Sequence, residues 1–346
     1  MAIKTANTMS LRVGIVGYGL AGRYFHAPLL KGCGFEVAAI ATTNEIRHGH
    51  AQEDFPGVKV VATSEELVKE RLDLVVVASA NIAHAHDALC AINAGIPVVI
   101  DKPMGRTYAE TKAIIDAGLK AGTPVSTFFN RRWDSNALTI KRVLASGVLG
   151  QIHRMESRFE RFRPDLNAQS WRENMSAADG GGQLLDLQSH LISTAIDWFG
   201  SAELVMSSVR SLRGGADDDS VLVLRHSGGL MSYLSASAVV GAPGPCVRIL
   251  GAQGALVIHD LDPQEDLLRS GKYPIGGTWA VPTSSKAFIH RGNVVEEFAG
   301  ENGNYALFYS AVADAIAGKA PWPIDNADVL LVAHLIDQAR ENSANA

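Results

Sequence analysis

The sequence predicts an α/β protein in which a doubly wound parallel sheet precedes an α+β domain with a large, mostly antiparallel open sheet. A chain of 346 residues has room for about two domains. Up to residue 129 short apolar runs alternate with amphipathic stretches, which is typical of parallel strands joined by helices. Beyond residue 130 strand patterns follow one another with few helices between them. We therefore predict domains at 1–129 and 130–346.

The first domain contains runs that are apolar at every position, such as Leu-Val-Val-Val-Ala at 74–78. Strands that are buried on both faces of a sheet have this pattern. The predicted strands are Leu11–Val16, Phe35–Ala41, Lys59–Ala62, Leu72–Ala78, Pro97–Ile100 and Pro124–Phe128. The predicted helices are Glu65–Glu70, Ala83–Ala94 and Tyr108–Ala121.

The second domain begins with a predicted helix at Asp134–Ser146, which a glycine turn closes. The strands that follow are predicted at Ile152–Phe162, Leu204–Arg213, Ser220–Arg225, Leu230–Val239, Cys246–Leu250 and Ala255–His259. The remaining helices are predicted at Gln183–Phe199, Ala306–Ala317 and Asn326–Glu341.

Composition and charge exclude several classes of partner. The chain has 31 Lys and Arg against 36 Asp and Glu, so bulk charge does not attract it to nucleic acid or anionic lipid. No apolar run reaches the roughly 18 residues that span a membrane, and the first ten residues lack the apolar core of a secretory signal. Three dispersed cysteines fit a reducing compartment and have no metal-ligand spacing. We expect a soluble, cytoplasmic protein with no nucleic-acid or membrane partner and no metal.

A glycine-rich loop, Gly17-Tyr18-Gly19-Leu20-Ala21-Gly22, joins the first strand to a helical stretch. In a dinucleotide site the first glycine permits the tight turn, the second lets a pyrophosphate approach the backbone, and the third lets helix and strand pack closely. Free N–H groups at the start of the helix then face the diphosphate. The alternative is a turn that serves packing alone.

The end of the second strand indicates which dinucleotide binds. NAD sites usually place an acidic residue there to hold the ribose hydroxyls, but this chain has Thr42 and Thr43, with Arg47 one turn later. Hydroxyl donors and a guanidinium suit the 2′-phosphate of NADP. We therefore expect NADP as the cofactor, and NAD stays open because Arg47 could simply face solvent on a helix.

Two further clusters carry candidate catalytic groups. Lys102 stands at the carboxyl end of the fifth strand, where ligands bind in doubly wound sheets, and its ammonium can stabilise charge on a substrate oxygen. Asp186 and His190 follow a run of three glycines at positions four apart on a predicted helix. On one helical face, Asp186 can accept from one ring nitrogen while the other exchanges a proton with substrate. The alternatives are a solvated loop lysine and an ordinary helix-surface pair.

Together these motifs resemble the glucose–fructose oxidoreductase/inositol dehydrogenase (Gfo/Idh/MocA) family over nearly the whole chain. The resemblance implies a Rossmann dinucleotide-binding domain and hydride transfer between a nicotinamide and a secondary alcohol of a sugar or cyclitol. By resemblance Lys102 and His190 transfer protons, and Asp186 belongs to the same site. The turn with Ser79, Asn81 and His84 resembles the turn through which the family contacts the nucleotide. The open sheet of the second domain commonly forms the family's oligomer interface, so we expect a homodimer or homotetramer.

Stretches such as Asp101-Lys102-Pro103 are similar to an NADP-preferring subgroup that includes scyllo-inositol dehydrogenases. Ser193 and Gln188 depart from that pattern near His190, so the identity of the substrate cannot be taken from this subgroup. The candidate substrate-binding residues, besides Lys102, Asp186 and His190, are Asn130, Arg132, Trp133, Arg163 and Tyr305. Trp133 could instead pack between the domains, and Arg161 and Arg163 could pair with Glu160 and Asp165.

These features predict an NADP-dependent oxidoreductase acting on a CH–OH group of a small sugar or cyclitol. Two other functions stay open. One is a glycosidase of the same fold that keeps its NAD bound and cleaves glycosidic bonds through transient oxidation. The other is a non-catalytic sensor of dinucleotide or sugar.

Overall fold

The computed structural model describes residues 10–168 and 170–344, which form two sheets with helices packed around them. The first nine residues, on which part of the secretory-signal prediction depends, lie outside the described residues. The first sheet has six strands in the order β3-β2-β1-β4-β5-β6, and every pairing is parallel. Its strands are β1 (Arg12–Val16), β2 (Glu36–Ala41), β3 (Lys59–Val61), β4 (Leu74–Val77), β5 (Val98–Asp101) and β6 (Val125–Phe128).

Helices cover both faces of this parallel sheet, as its fully buried strands require. The first connection begins as a π-helical turn at Gly22–His26 and continues into a short α-helix. The helices of this part are α1 (Ala27–Gly32), α2 (Glu45–Asp54), α3 (Ser64–Leu67), α4 (His84–Asn93) and α5 (Tyr108–Ala121). The sequence patterns missed α2 because Ala51 is its one buried residue, so no apolar stripe marks it.

The second sheet has eight strands in the order β14-β13-β12-β11-β7-β10-β9-β8. Its pairings are antiparallel except that β7 and β10 run parallel, so the predicted mostly antiparallel sheet is confirmed. The strands are β7 (Ile152–Glu160), β8 (Ala202–Arg210), β9 (Asp219–His226), β10 (Met231–Ser237), β11 (Val247–Gly251), β12 (Gly254–Ile258), β13 (Ala287–Arg291) and β14 (Val294–Phe298). The edge strand β14 was missed because its first four residues are all exposed.

The helices of the second part are α6 (Ser135–Ser146), α7 (Trp171–Asn174), α8 (Ser189–Phe199), α9 (Gln264–Arg269), α10 (Ala306–Ile316) and α11 (Asn326–Ala344). The last two helices, α10 and α11, contact the part of the chain that contains the parallel sheet. Tyr309 on α10 lies 2.6 Å from Nδ1 of His26, and Asp337 on α11 accepts from the backbone N–H of Tyr108 at 2.8 Å. Within residues 10–168 and 170–344, none of these helices is long and apolar enough to cross a membrane.

Candidate active site

A crevice of about 170 Å³ lies at the carboxyl ends of β5 and β6, where ligands bind in open parallel sheets. Residues from both parts of the chain form its walls. The side chains that line it are Leu20, Ala21, Phe25, Asp101, Lys102, Phe128, Asn130, Arg131, Arg161, Arg172, Asp186, Leu187, His190, Glu265 and Arg269.

The glycine-rich loop borders this crevice, and its glycines have distinct environments. Gly17 has a φ of 90°, a left-handed conformation that favours glycine. A Cβ on Gly22 would lie 2.1 Å from the carbonyl oxygen of Gly17, so only glycine permits this packing. The nearest atom to a Cβ on Gly19 would be the guanidinium carbon of Arg47, at 3.5 Å. The backbone at Gly19 is therefore accessible, as a bound diphosphate requires.

Arg47 lies beside this open backbone. Its side chain is exposed and forms no ion pair with the residues that the structure describes. Asn44 caps α2 by accepting from the N–H of Arg47 at 3.0 Å, which fixes the start of the helix that carries the guanidinium. Thr42 and Thr43 precede this cap at the end of β2. The residues present thus fit a nucleotide with a phosphate on its ribose.

The other loop residues differ in where they point. Leu20 and Ala21 line the crevice. Tyr18, which we expected among the cofactor contacts, is buried, and its hydroxyl donates to Asp54 at 2.9 Å. Arg23 donates to the same carboxylate at 2.7 Å. The side chain of Tyr18 therefore anchors the loop to α2 and does not face the open side.

Lys102 extends into the crevice and is held by Asp186. Its Nζ donates to a carboxylate oxygen of Asp186 at 2.5 Å and to the carbonyl oxygen of the same residue at 2.9 Å. Nε of Arg172 lies 3.4 Å from that carboxylate. Burial alone would raise the pKa of Asp186, but the charges of Lys102 and Arg172 outweigh it and lower the pKa to about 2. Asp186 is therefore ionised at neutral pH and fixes the position of Lys102.

The expected pairing of Asp186 with His190 is wrong. Leu184–Gln188 form a π-helical turn, which alters the angular spacing of residues four apart. Asp186 bonds to Lys102, and Nδ1 of His190 is buried with no hydrogen-bond partner among the described residues. His190 nevertheless lines the crevice, with its ring centroid 6.4 Å from that of Phe159.

The surroundings of His190 keep its imidazole neutral. Burial lowers the pKa of His190 well below 6.5, and the positive charges of Lys102 and Arg131 lower it further. A neutral imidazole at neutral pH can accept a proton. Because Nδ1 is enclosed by protein, Nε2 is the nitrogen through which His190 can exchange a proton with a bound molecule.

We predict that His190 stays neutral at pH 6.5 in the wild-type protein and that Lys102→Met raises its pKa. The substitution removes a cation that opposes protonation of the imidazole and leaves the nearby Asp186 carboxylate less neutralised. Both changes favour the imidazolium. An NMR titration of ¹⁵N-labelled histidine, with a His190→Asn variant for assignment, measures this pKa. A wild-type pKa at or above 6.5 would contradict the described environment.

The turn after β4 makes hydrogen bonds within the protein. The hydroxyl of Ser79 donates to a carboxylate on α4, and the side-chain amide of Asn81 donates to the carbonyl oxygen of Gly180 at 3.0 Å. The ring nitrogens of His84 lie 2.9 Å from the carbonyl oxygen of Pro103 and 3.1 Å from that of Ser79. These side chains thus connect the turn to the loops that carry Lys102 and the three glycines, and their contact with a nucleotide stays a prediction.

Two of the expected substrate-binding residues lie outside the crevice because other side chains bind them. Arg132 is buried and donates to Ser193 at 2.9 Å and to Asp328 at 2.9 Å. Tyr305 is completely buried, and its hydroxyl donates to Asp134 at 2.6 Å. Ser193 is fully buried, accepts from Arg132 and does not line the crevice.

Trp133 and Arg163 are also absent from the crevice walls. The half-buried ring of Trp133 packs edge-on against Phe308 at a centroid distance of 5.4 Å. Arg163 is exposed two residues beyond Arg161. Asn130 does line the crevice, as expected.

Sequence analysis missed several charged residues of the crevice. The most informative is Arg161, which follows β7 directly. Side chains alternate between the faces of a strand, so a buried Phe159 places Arg161 on the inner face as well. That alternation was visible in the sequence. The other missed residues are Asp101, Arg131, Arg172, Glu265 and Arg269.

Comparison with known proteins identifies the family of the chain. Residues 11–129 match the family model described as an oxidoreductase family with an NAD-binding Rossmann fold. Residues 137–257 match the Gfo/Idh/MocA C-terminal domain. The first match covers all six strands of the parallel sheet, and the second covers β7 to β11 and most of β12 in the eight-stranded sheet.

Several relatives resemble the chain over almost its whole length. The scyllo-inositol 2-dehydrogenase (NADP⁺) IolW of Bacillus subtilis is 32% identical over 342 residues, which cover 96% of this chain and 94% of IolW. The oxidoreductase YdgJ of Escherichia coli is 32% identical over 352 residues and 96% of each chain. The structure of the putative oxidoreductase yvaA from Bacillus subtilis superposes with a TM-score of 0.88 at 30% identity, over 99% of this chain and 98% of yvaA. The chain therefore belongs to the Gfo/Idh/MocA family of oxidoreductases, and its parallel sheet is the family's NAD-binding Rossmann domain.

Proposed function

We propose that this oxidoreductase transfers hydride reversibly between NADP and a secondary alcohol of a small sugar or cyclitol. The observation that carries the proposal is the group Lys102, Asp186 and His190 at the crevice wall, next to the glycine-rich loop and its neighbour Arg47. A crevice with convergent polar groups at the carboxyl edge of a Rossmann sheet favours a small polar substrate.

The described contacts support separate roles for His190 and Lys102. The neutral Nε2 of His190 takes the proton of the reacting hydroxyl, and the ammonium of Lys102 donates to the same oxygen and stabilises negative charge on it. Asp186 orients Lys102 through its carboxylate and its carbonyl. A bound nicotinamide would supply the hydride acceptor for the carbon that bears this oxygen. In the reverse direction Lys102 polarises the carbonyl and His190 returns the proton.

The preference for NADP is proposed from Arg47, Thr42 and Thr43. A guanidinium close to the open backbone of Gly19 can bind a 2′-phosphate through charge-assisted hydrogen bonds. The described end of β2 has no acidic side chain for the ribose of NAD before the capping residue Asn44. The similar Bacillus subtilis protein IolW is a scyllo-inositol 2-dehydrogenase (NADP⁺), which supports the same preference.

Arg47→Ala is expected to raise the Kd of NADPH by about tenfold or more, since it removes a charge-assisted contact with the 2′-phosphate. The Kd of NADH should stay nearly unchanged. Nucleotide fluorescence titration measures both constants, and Arg71→Ala, at an exposed arginine of the same domain, is the matched control. Equal weakening of NADPH and NADH would remove Arg47 from the 2′-phosphate site.

We also propose that residues 1–129 bind the nucleotide, that residues 130–346 hold the substrate, and that the chain forms a homodimer or homotetramer through its eight-stranded sheet. Apolar side chains exposed on both edge strands support this assembly, namely Val205 and Met206 on β8 and Val294 and Val295 on β14. Analytical ultracentrifugation tests the proposal. A monomer at micromolar concentration would contradict the predicted assembly.

The function is tested by incubating the protein with a panel of inositols, aldoses and sugar acids, each with NADP⁺ and separately with NAD⁺. Absorbance of reduced nicotinamide is followed over time. The proposal predicts many turnovers with NADP⁺ and at least one polyol. Nucleotide binding without net reduction by any compound would contradict it and favour the glycosidase or the sensor.

A further inference from the structure

The charges that line the crevice are unbalanced. Its basic side chains outnumber its acidic ones by five to three, although the whole chain has a formal net charge of −5. A small cleft lined mainly by one sign of charge concentrates ligands of the opposite sign. The basic residues are Lys102, Arg131, Arg161, Arg172 and Arg269, and the acidic ones are Asp101, Asp186 and Glu265.

The carboxylates of the crevice already have partners. Asp186 binds Lys102 as described above, with Arg172 at 3.4 Å. Glu265 accepts from Arg131 at 2.9 Å and from Arg269 at 2.8 Å. These contacts assign a carboxylate to every basic group except Arg161.

Asp101 does not supply the missing partner. Its Oδ1 accepts from the backbone N–H of Lys102 at 2.9 Å and lies 3.7 Å from Nε2 of the buried His26. Arg131 has a second carboxylate as well, because Asp134 lies 3.3 Å from its Nη1. Each carboxylate at or next to the crevice is thus bound by a group other than Arg161.

The guanidinium of Arg161 has no hydrogen bond and no ion pair among residues 10–168 and 170–344, although the residue is half-buried. In particular, the carboxylate of the neighbouring Glu160 accepts from the hydroxyl of Ser235 at 2.7 Å and does not pair with Arg161. Burial lowers the pKa of Arg161, and the positive charges of Arg163 and Arg131 lower it further, which together outweigh the opposite effect of the carboxylates of Glu265 and Asp186. A half-buried guanidinium without a bound carboxylate gains stability when an anion binds beside it.

The position of Arg161 places that anion near the proton-transfer groups. Arg161 lies two residues after Phe159 and shares its face of β7. The ring centroid of Phe159 is 6.4 Å from that of His190, and the guanidinium of Arg131 lies 4.7 Å from the same ring. The walls of the crevice therefore hold Arg161 and His190 close enough to contact one small molecule.

We propose that the substrate carries an anionic group, a carboxylate or a phosphate, which Arg161 binds while the reacting hydroxyl faces Lys102 and His190. The substrate class is then a hydroxylated acid or a sugar phosphate in place of a neutral cyclitol. This inference rests on the proposed function, since it names the substrate of the same site. A guanidinium suits either anion because its planar fork donates two parallel hydrogen bonds.

The test compares kcat/KM with NADP⁺ for aldonates and uronates, for sugar phosphates, and for the neutral sugars and alditols of matching stereochemistry. Wild-type protein should prefer an anionic compound over its neutral counterpart by at least about tenfold. Arg161→Gln should lower kcat/KM for the anionic compound by about tenfold to a hundredfold and leave the neutral one within about threefold. Arg161→Lys should retain part of the preference because it keeps the charge but loses the fork.

Arg154→Gln is the matched control, since Arg154 is an exposed arginine of the same strand on the opposite face. It should leave the preference for anions unchanged. The comparison between carboxylates and phosphates identifies which anion the site takes. Equal or better turnover of neutral compounds by the wild-type protein would overturn the inference and leave the proposed dehydrogenase intact. Equal losses for both classes in Arg161→Gln would also overturn it.

If no compound is oxidised, calorimetry tests the anion site through binding alone. Binding of the aldonates, uronates and sugar phosphates is measured in the presence of NADP⁺, without turnover, for wild-type protein and for Arg161→Gln. If the wild-type protein binds one of these anions and Arg161→Gln does not, the anion site is supported even though the proposed dehydrogenase activity fails. Absence of binding of every anion to the wild-type protein would overturn the anion site.

Discussion

Lys102→Met should lower kcat about a thousandfold with any substrate of this enzyme and should change the Kd of NADP⁺ by less than about threefold. The side chain keeps its length but loses the ammonium that donates to the reacting oxygen. The fold should persist, because Asp186 retains Arg172 as a cationic partner at 3.4 Å. Stopped-flow kinetics at saturating substrate measures kcat, and nucleotide fluorescence measures Kd.

Lys112→Met is the matched control for this loss. Lys112 is an exposed lysine of the same domain and pairs with Asp116 at 2.6 Å on α5. It should leave both kcat and Kd unchanged. If Lys102→Met weakened nucleotide binding as much as it lowered kcat, Lys102 would be a cofactor-binding residue without a separate part in proton transfer.

Gly19→Ala and Gly22→Ala should separate nucleotide binding from folding with the same added methyl group. At Gly19 the new Cβ lies 3.5 Å from the nearest atom, the guanidinium carbon of Arg47, so the protein folds but the diphosphate loses its approach to the backbone. We expect the Kd of NADP⁺ to rise by about tenfold to a hundredfold. At Gly22 the new Cβ lies 2.1 Å from the carbonyl oxygen of Gly17, so the backbone must shift.

Gly22→Ala should therefore lower the free energy of unfolding by about 1–3 kcal/mol. Urea denaturation of both variants gives the stabilities, and nucleotide titration gives the affinities. The two variants should differ: Gly19→Ala should lose affinity for NADP⁺ at wild-type stability, and Gly22→Ala should lose stability. A stable Gly19→Ala variant with wild-type affinity would show that the diphosphate does not approach the loop at Gly19.

Sequence patterns predicted the parallel sheet well because burial on both faces leaves a local signal. The strand at Leu74–Val77 is apolar throughout, and the helix at Tyr108–Ala121 has the bounds that its pattern and Gly122 predicted. The loop from Gly17 to Gly22 could also be predicted, because its glycines are required by the conformation of the local backbone. The polar helix α2 and the exposed strand β14 carry no such pattern, and both were missed.

The errors at the site have a different origin, because they depend on partners that are distant in sequence. Asp186 lies in a π-helical turn and bonds to Lys102, 84 residues earlier, and not to His190, which residue spacing does not reveal. Tyr305 was expected to bind substrate, but its hydroxyl donates to Asp134, which precedes it by 171 residues. Alternation along β7 assigns Arg161 and Arg163 to the same face, and only the structure shows that Arg161 lines the crevice while Arg163 is exposed. Sequence chemistry singled out Lys102, Asp186 and His190, which all line the crevice, and tertiary contacts decided which other polar side chains reach it.

In the proposed reaction, hydride moves between the substrate and an NADP that exchanges during turnover. The most direct test uses a substrate that the panel identifies, with deuterium on each oxygen-bearing carbon, and an excess of NADP⁺. Mass spectrometry then measures deuterium in the NADPH released into solution. We expect one deuterium per NADPH, in a molar amount far above that of the enzyme. Product formation without labelled NADPH in solution, with the nucleotide retained on the protein, would contradict it.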